Sequence, residues 1–583
     1  MCGIFLLLNH SIYNDKFVQS TNNFTHINNQ FKKGRNRGPE NSKLQVINNN
    51  TIFGFHRLAI NGLDNESNQP LCINDCVLIC NGEIYNYKIL YDIIQTEPTT
   101  NSDCEVIIHM YLKYGIEQTL IMLDGVFAFS LYDKNKQLLF VARDPYGIRP
   151  LFIQSVCNSK YNSKNQFAFA SEIKSIVNLK LNNEVCPSHC PNHYLDHCPS
   201  HCSTISQFQP GNYYTFEEDY ESNWVIRDIQ KYHKCNFAYN FLNYNSVNEN
   251  TFLPNISKYL EVAVMKRCIT TDRPIACLLS GGLDSSLITA LVSNYLKQNK
   301  LQNTLETFSI GLQGATDLKY AKIVANYLGT KHTEVIVTEE EMFKIIPEVI
   351  YATETYDITT IRASIGNYLI AKYISNNSDA KVIFNGDGSD ELFGGYLYMK
   401  KCPDDIEFDI ETRRLLENIH YYDVLRSDKS ISSNGLEPRT PFLDKTFVNY
   451  VLSIPIHIRN HNNIDNYEKY LLRKSFSSEY FLNFEGNSLL PDEVLWRSKE
   501  AFSDGVSSKT MSLFEILQDK ICSYLSSDAF PPNIETEKFY YKSIFNEYFP
   551  NCENIIPDYW MPKYTLSSSN DPSARTLKHY DTS

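Results

Sequence analysis

Cys2 is the first residue whose type and position suit a chemical role. If Met1 is removed, Cys2 carries a thiol and a free α-amine on one residue. An α-amino group has a pKa of about 7.7 to 8.0, so it can accept the thiol proton near neutral pH and leave a thiolate nucleophile. The alternative is structural, because a small residue here would also suit the start of a buried strand.

A second candidate is the loop Ser280-Gly-Gly-Leu-Asp-Ser-Ser286, which follows the apolar residues 275–279. Glycines and hydroxyls between a strand and a helix can surround a phosphate group, because backbone N–H groups and the helix dipole face the anion. The loop lacks the Gly-Lys-Ser/Thr ending of a Walker loop. The alternative is an ordinary glycine turn, since such turns are common between a strand and a helix.

The elements that must position these candidates differ between the two halves of the chain. In the first 180 residues or so, short apolar runs separated by turns predict an α+β half with much sheet, with strands at 77–80, 127–132 and 138–142 and a helix near 106–114. From about residue 257, strands alternate with glycine turns and helices, with strands predicted at 275–279, 307–310 and 381–384. This second pattern predicts an α/β half with a mainly parallel sheet.

Composition limits the class of partner. The chain has 583 residues and a net charge of −13, which disfavours a general nucleic-acid binder and favours small-molecule partners. Its 16 cysteines are too sparse for a disulfide scaffold, and we read no secretory leader, so a reduced, cytosolic protein is expected. No apolar run approaches the length of a membrane span, so we expect no membrane partner.

A cysteine- and histidine-rich segment at about 182–204 fits neither half. The unit Cys-Pro-Ser-His-Cys occurs twice there, and thiolates and imidazoles suit Zn²⁺, which predicts a structural zinc site at Cys186, Cys190, Cys198 and Cys202. The alternative is a low-complexity surface insertion with no metal.

Four stretches after Cys2 decide between its two interpretations. The residues at 35–40, 56–60, 81–86 and 102–106 resemble the class II glutamine amidotransferases nearly residue for residue. The resemblance implies an N-terminal nucleophile hydrolase sandwich in which the Cys2 thiol attacks the glutamine side-chain amide and ammonia leaves. It also implies a glutamine site formed by Arg57, Leu58, Ala59, Ile60, Asn61, Asn81, Gly82, Glu83 and Asp103.

Within that site the resemblance assigns roles that make chemical sense. The Asn81 side chain and the Gly82 backbone N–H would stabilise the tetrahedral oxyanion. The Arg57 guanidinium would hold the substrate α-carboxylate, and Asp103 would pair with its α-ammonium group. Taken singly, Arg57 and Asp103 would be read as ordinary surface charges.

The second half resembles another family. The loop at 280–286 looks like the pyrophosphate loop of ATP pyrophosphatases, with the fold of adenine nucleotide alpha-hydrolases. Further stretches resemble the glutamine-hydrolysing asparagine synthetase family, at 355–364, 386–396, 438–444 and 495–505. The endings at 559–563 and 571–576 resemble its eukaryotic members in particular.

That resemblance implies an ATP-dependent carbon–nitrogen ligase. The β-carboxylate of aspartate would attack the α-phosphorus of ATP, giving β-aspartyl-AMP and pyrophosphate, and ammonia arriving by an internal path would displace AMP. The implied ATP site comprises Leu278, Ser280, Gly281, Gly282, Asp284, Ser285, Ile310, Asn385 and Gly386. Asp284 and Asp390 would place Mg²⁺, and Lys499 would neutralise the departing pyrophosphate.

One position departs from the family pattern. The family reads Ser-Gly-Glu-Gly-Ser-Asp-Glu where this chain has Asp387 in place of the first Glu, which the family ties to formation of the aspartyl-adenylate. Asp387 keeps the charge but retracts it by one carbon–carbon bond, so catalysis is expected to be slower. Two alternatives stay open: a ligase with another acceptor, such as the enzymes that close a β-lactam ring, and a catalytically impaired scaffold.

The expected organisation is a glutamine amidotransferase domain at 2–216, a linker at 217–251 and an asparagine synthetase domain at 252–583. The expected small-molecule partners are glutamine, aspartate and ATP, and a homodimer is one option for the oligomeric state.

Overall fold

The computed structural model describes most of the chain. The described residues are 1–10, 17–156, 165–179, 203–235, 248–301, 304–463, 467–499, 505, 512–526, 530–564 and 570–573. The four cysteines predicted to hold zinc all lie outside these residues, so that prediction stays open. Two compact units are formed, one by Met1–Lys234 with Phe545–Pro557 and the other by Cys235–Ile544 with Asp558–Ser583.

The first unit is built mainly from antiparallel strands. In chain order they are β1 (Gly3–Leu8), β2 (Asn41–Asn48), β3 (Thr51–Arg57), β4 (Leu71–Ile73), β5 (Cys76–Ile84), β6 (Gly125–Asp133), β7 (Leu138–Arg143), β8 (Phe152–Val156), β9 (Gln166–Ala170), β10 (Ser203–Gln207), β11 (Asn212–Glu218) and β12 (Trp224–Lys231). Helices in this unit are α1 (Phe17–Lys32), α2 (Tyr87–Ile94) and α3 (Val106–Met122). The described strands form two sheets, in the orders β10-β8-β9-β1-β3-β2 and β12-β11-β7-β6-β5-β4.

Alternating side chains of β5 explain how these layers stack. Val77 and Ile79 pack in a core with residues of the other sheet, such as Leu6. Leu78 and Cys80 point the other way and pack with residues of α2 and α3. Because successive side chains of a strand point to opposite faces, a strand that is apolar at every position must be covered on both sides. The unit is therefore a sheet-on-sheet sandwich with helices on an outer face, as the amidotransferase resemblance implied.

The second unit has a parallel sheet. Its described strands are β13 (Ile275–Leu278), β14 (Glu306–Gly311), β15 (Lys331–Ile336), β16 (Val382–Phe384) and β17 (Glu437–Arg439), in the order β15-β14-β13-β16-β17. Each neighbouring pair is parallel. This confirms the predicted α/β class. Because the carboxyl ends of parallel strands share one edge, the segments that follow β13 and β16 lie side by side.

Helices surround this sheet in the second unit. The helices before the last strand are α4 (Leu253–Ile269), α5 (Leu283–Asn299), α6 (Thr316–Leu328), α7 (Glu339–Lys344), α8 (Ile346–Thr353), α9 (Ile358–Asn377), α10 (Ser389–Phe393), α11 (Asp405–Asn418) and α12 (Asp423–Ser432). Those after it are α13 (Lys445–Ser453), α14 (Ile456–Arg459), α15 (Tyr470–Ser475), α16 (Asp492–Leu495), α17 (Leu513–Leu525) and α18 (Ile534–Tyr548). No helix among the described residues is both long and apolar enough to cross a membrane.

The expected linker at 217–251 contains a strand of the first unit. β12 pairs with β11 along its whole length and forms the outer strand of its sheet. Trp224 anchors it, because its fully buried indole donates a hydrogen bond to the Thr51 hydroxyl at 2.7 Å. The side chains that follow Trp224 are mostly exposed, so the segment looks like a polar connection in the sequence.

Candidate active sites

Cys2 lies immediately before β1, whose residues are all buried. Its side chain is half-buried, and the thiol donates to the carbonyl oxygen of Leu58 at 3.5 Å. The Cys2 carbonyl accepts a hydrogen bond from Nε of Arg37 at 2.9 Å, and Arg37 is in turn paired with Glu172 at 3.0 Å. Buried neighbours on both sides thus hold the backbone of the predicted nucleophile.

Asn81 lies on β5, between β6 and the edge strand β4 in the second sheet, and its side chain is fully buried. Its Nδ2 faces the Ser171 hydroxyl at 3.5 Å, and the same hydroxyl accepts from the Ile4 backbone N–H at 3.1 Å. Ser171 therefore connects Asn81 to the strand that follows Cys2. The Oδ1 atom of Asn81 has no hydrogen-bond partner in the described part of the chain.

Gly82 has a packing reason to be glycine. A Cβ at this position would lie 2.5 Å from the Val126 carbonyl oxygen on β6. The close approach of two paired strands therefore demands glycine here, whatever its backbone N–H does in catalysis.

Arg57 ends β3 and organises the loop that follows. Its Nη1 donates to the Asp64 carbonyl at 2.7 Å and to Oδ1 of Asn68 at 2.8 Å, and its Nη2 donates to the Gly62 carbonyl. Its other N–H groups have no partner among the described residues. Arg57 is 7% exposed, so it is a buried loop-holding cation and not the surface charge that its residue type alone would predict.

The remaining predicted glutamine-site residues surround this loop. Leu58, Ala59 and Ile60 are buried, and the Asn61 amide donates to the Glu83 carboxylate. Asp103 accepts from the Ile84 backbone N–H at 2.6 Å, which places it beside the end of β5. All of the residues predicted for the glutamine site thus lie on or next to the ends of β1, β3 and β5.

Cys104 is a second thiol near these residues. It donates to the Gly82 carbonyl at 3.6 Å. A hydrogen bond with Cys80, burial and the nearby Asp103 carboxylate all raise the pKa of Cys104 well above its usual range. A thiol that stays protonated is a poor nucleophile, which leaves Cys2 as the candidate.

The second unit contains a cavity of about 200 Å³ at the carboxyl ends of β13 and β16. The residues predicted for the synthetase site that line it are Leu278, Ser280, Gly282, Asp284, Ser285, Asn385, Gly386, Asp387, Asp390 and Lys499. Gly281 and Ile310 were also predicted but are not among its lining residues. Ile310 is buried inside β14, and Gly281 lies against the backbone of α6 at Tyr320 and Ala321.

The loop before α5 is shaped by its own hydroxyls and by two close approaches. The Ser280 and Ser285 hydroxyls lie 3.0 Å apart, and the Gly282 N–H donates to Ser280 at 3.3 Å. Gly281 has φ of +76°, and a Cβ there would lie 2.4 Å from the Ala321 nitrogen on α6. Arg497 donates to the Gly281 carbonyl at 3.0 Å. The amino end of α5 is therefore presented rigidly to the cavity.

Gly386 lets this loop and the end of β16 meet. A Cβ on Gly386 would lie 2.8 Å from both Cβ of Asp284 and the Ser285 nitrogen. Gly386 belongs to the ATP site that the resemblance implies, and the neighbouring loop backbone by itself already requires glycine at this position.

A cluster of opposite charges lies beside the loop. Lys469 is 3% exposed and donates to Asp284 and to Asp390, the latter at 2.7 Å, and Lys499 also pairs with Asp390. Burial alone would raise the pKa of Asp390, but the two ammonium groups outweigh it and hold the pKa well below its usual range. Asp390 is therefore a permanent anion that aligns two cations along the cavity wall.

A second charged group also lines the cavity. Arg426 on α12 donates through Nη2 to Asp387 at 3.1 Å and to Asp423 at 2.9 Å. Its Nε and Nη1 groups have no hydrogen-bond partner among the described residues. The Tyr396 hydroxyl donates to Glu391 at 2.6 Å and lies 3.3 Å from Asp423.

Sequence reasoning missed Lys469, Arg426 and Asp423. Lys469 and Arg426 lie far along the chain from the loop they serve, outside any glycine-rich or apolar pattern. The spacing of Asp423 and Arg426 by three residues on a helix is the one available signal, and it is shared by many solvent-exposed pairs. Arg497 and Tyr396 were within stretches that carried the resemblance, but no role was assigned to them.

Comparison with known proteins identifies the family. A model described as a glutamine amidotransferase domain matches residues 1–232, and a model described as asparagine synthase matches residues 255–409 and 400–570. The glutamine-hydrolyzing asparagine synthetase of Cricetulus griseus is 41% identical over 572 residues, covering 93% of this chain and 94% of that protein. This chain belongs to the glutamine-hydrolysing asparagine synthetase family.

The human asparagine synthetase is 40% identical over 572 residues, with 93% of this chain and 94% of that protein covered. Among solved structures, a glutamine phosphoribosylpyrophosphate amidotransferase from B. subtilis covers 57% of this chain and 81% of its own at 14% identity and a TM-score of 0.28. Cys2 and the residues around it lie in the part of the chain that the glutamine amidotransferase model matches, and the cavity lies in the part that the asparagine synthase model matches.

Proposed function

We propose that this chain makes asparagine from aspartate, ATP and the amide nitrogen of glutamine. The observation that carries the proposal is the cavity of the second unit. It is lined by the glycine- and serine-rich loop at the amino end of α5, by Lys469 and Lys499, and by Arg426. The Nε and Nη1 groups of Arg426 have no hydrogen-bond partner among the described residues. The loop and the lysines suit polyphosphate, and the arginine suits an amino-acid carboxylate.

Glutamine hydrolysis is assigned to Cys2 and to the predicted glutamine-site residues around it in the first unit. After removal of Met1, the Cys2 thiol gives its proton to the α-amine, and Sγ attacks the carbonyl carbon of the glutamine side-chain amide. Asn81 Nδ2 and the Gly82 N–H stabilise the oxyanion, the C–N bond breaks as ammonia takes a proton, and water then hydrolyses the thioester. The N–H groups of Arg57 that face no protein acceptor bind the substrate α-carboxylate, and Asp103 binds its α-ammonium group.

ATP is assigned to the loop end of the cavity. The amino end of α5 and the Ser280 and Ser285 hydroxyls suit the pyrophosphate, because an anion is stabilised at a helix amino end. Asp284 and Asp390 fit Mg²⁺, since both are carboxylates that already share one cation, Lys469. Mg²⁺ is usually held by one or two carboxylates together with substrate phosphates, and when bound it would neutralise phosphate charge. No group of three or more His, Cys, Asp or Glu able to hold a metal occurs among the described residues.

Aspartate is assigned to the part of the cavity lined by Arg426. The Nε and Nη1 groups of Arg426 suit the α-carboxylate of aspartate, since a guanidinium binds carboxylates through parallel N–H donors. This leaves the β-carboxylate to attack the α-phosphorus, with the bond to the bridging oxygen breaking and pyrophosphate departing beside Lys499. Ammonia then attacks the acyl carbon and AMP leaves. A cytosolic location and a homodimer stay predictions.

One assay tests this assignment. The purified chain is incubated with glutamine, aspartate, ATP and Mg²⁺, and asparagine, glutamate, AMP and pyrophosphate are measured. We expect equimolar asparagine, AMP and pyrophosphate. Glutamate without asparagine would reduce the chain to a glutaminase, AMP formation only with another acceptor would indicate a different ligase, and no turnover would indicate a scaffold.

A further inference from the structure

A segment late in the chain packs against Tyr396, which lines the cavity of the second unit. This wall segment, residues 558–564, places the Trp560 ring 5.3 Å from the ring of Tyr396 and 6.3 Å from that of Tyr398. Tyr564 of the same segment lies 6.2 Å from Tyr398. The wall segment lines no part of the cavity itself.

Tyr396 connects the wall segment to the cavity. It lines the cavity, donates its hydroxyl proton to Glu391 and lies near Asp423, which itself pairs with Arg426. The ammonium group of Lys499 lies 5.7 Å from the centre of the Tyr396 ring. A shift of this ring would therefore disturb Asp423, the partner of the arginine assigned to aspartate, whereas Lys499 keeps its direct ion pair with Asp390.

The wall segment is held by hydrogen bonds to the elements that carry these groups. The Trp560 backbone N–H donates to Asp357, the buried residue that caps α9, at 2.8 Å. The Tyr422 hydroxyl donates to the Asp558 carbonyl at 2.9 Å, and Tyr422 immediately precedes Asp423. The register of the segment against the cavity wall is thus set by its backbone at two points.

A buried ion cluster fixes the chain beyond the wall segment. Arg362 on α9 donates to both oxygens of Asp571 at 2.9 Å and to both oxygens of Glu537 at 2.9 and 2.6 Å. Gln518 donates to the same two carboxylates. The wall segment is therefore held at one side by the cap of α9 and beyond its end by Arg362 on the same helix.

We propose that Trp560 is a positioning residue for aspartate activation, acting through the ring of Tyr396. The inference rests on the proposed assignment of this cavity to aspartate and ATP. Trp560 contacts neither substrate. It keeps the Tyr396 hydroxyl directed at Glu391 and Asp423, so that Arg426 is presented to aspartate while the phosphate loop is unaffected.

The test uses the full chain with ammonia as nitrogen donor, and it measures kcat and the separate KM values for aspartate and ATP. Trp560→Ala is expected to raise the KM for aspartate about two- to tenfold, the range expected for loss of one aromatic pair, while the KM for ATP stays within about twofold. Trp560→Phe is expected to restore most of the loss. Met561→Ala, an exposed side chain on the same segment, is the matched control.

Tyr422→Phe supplies a second variant that removes only the hydroxyl held by the Asp558 carbonyl, and it should shift the KM for aspartate in the same direction by less. Urea unfolding of each variant reports on folding of the chain, including the second unit, in which all of these substitutions lie. Equal rises in both KM values, or Trp560→Ala values that match those of Met561→Ala, would overturn the positioning role. Failure of the unaltered chain to form asparagine and AMP from ammonia would instead overturn the proposed function.

Discussion

Nη2 of Arg426 donates to Oδ1 of Asp387 at 3.1 Å, across the end of the cavity assigned to aspartate. Asp387 stands where the family pattern has Glu. The pair shows that the shorter carboxylate still faces the cavity and still has a cationic partner on α12. What the shortening changes is the reach of the carboxylate, since its charge and its orientation toward Arg426 are kept.

Replacing Asp387 by the longer Glu tests whether the short reach of its carboxylate slows the reaction of aspartate with ATP. Asp387→Glu is expected to speed aspartate-dependent pyrophosphate release, by up to about 100-fold if the retracted carboxylate is misplaced by about 1 Å. Asp387→Asn, which keeps the length but removes the charge beside Arg426, is the matched variant and should slow the reaction. Single-turnover pyrophosphate release with ammonia present measures both. A Glu variant no faster than the unaltered chain would contradict the importance of the shortening.

Cys2→Ala separates the two proposed sites. Without the thiol, glutamine-dependent asparagine synthesis should fall by about 10³-fold or more, because covalent attack on the amide is lost. Synthesis from added ammonia should stay within about twofold, since the cavity of the second unit is unchanged. Cys72→Ala removes an exposed thiol of the same unit and should leave both reactions unaltered. Loss of both reactions in Cys2→Ala would contradict the assignment of glutamine hydrolysis and asparagine synthesis to separate sites.

Sequence reasoning predicted the parts of these sites that are continuous in the chain. Cys2 and the loop at 280–286 carry their chemistry in consecutive residues next to apolar strands, and both predictions placed them at strand ends, where they lie. Lys469 and Arg426 were missed because only tertiary packing brings them to that loop.

Two glycines and one strand show a further limit of prediction from the sequence. Gly82 and Gly386 were predicted as residues of the glutamine and ATP sites, but the backbone paired with or next to each one already requires glycine there. β12 was read as a linker because one buried side chain, Trp224, anchors an otherwise polar strand. Residue type and spacing do not reveal which atoms occupy the space next to a residue, so the sequence alone could not establish why these residues are where they are.

Arg362 should contribute strongly to stability of the chain. It is 3% exposed and forms ion pairs with two buried carboxylates, Glu537 and Asp571. Arg362→Met would leave both anions without their cation, and breaking such a buried pair costs about 3–5 kcal/mol. Urea unfolding of the full chain measures the change. Lys372→Met, which removes an exposed pair with Glu348, is the control and should change stability by less than about 1 kcal/mol. Equal effects of the two variants would contradict the structural role of Arg362.

His56 should make stability fall on mild acidification. Its ring is buried and stacked on Phe31 with centroids 3.9 Å apart, and Nε2 must donate to the Phe31 carbonyl at 2.9 Å, which leaves Nδ1 to accept from the Ser42 hydroxyl at 2.7 Å. A second proton on this ring would force the Ser42 hydroxyl to change from donor to acceptor and would place a buried charge on the ring. Burial, the largest cause, lowers the pKa of His56 to about 4.

The sign of the pH effect follows from the lowered pKa. Unfolded chain takes up the proton near its ordinary pKa of about 6.5, before the folded chain does, so the stability supplied by neutral His56 is complete above that pH and is lost as the pH falls toward 4. At pH 5 the loss is about 2 kcal/mol relative to pH 7.5. His56→Gln, which cannot titrate, should lower stability at pH 7.5 but flatten the decline between pH 7.5 and 5, as followed by urea unfolding at each pH. A decline as steep as that of the unaltered chain would show that other groups cause it.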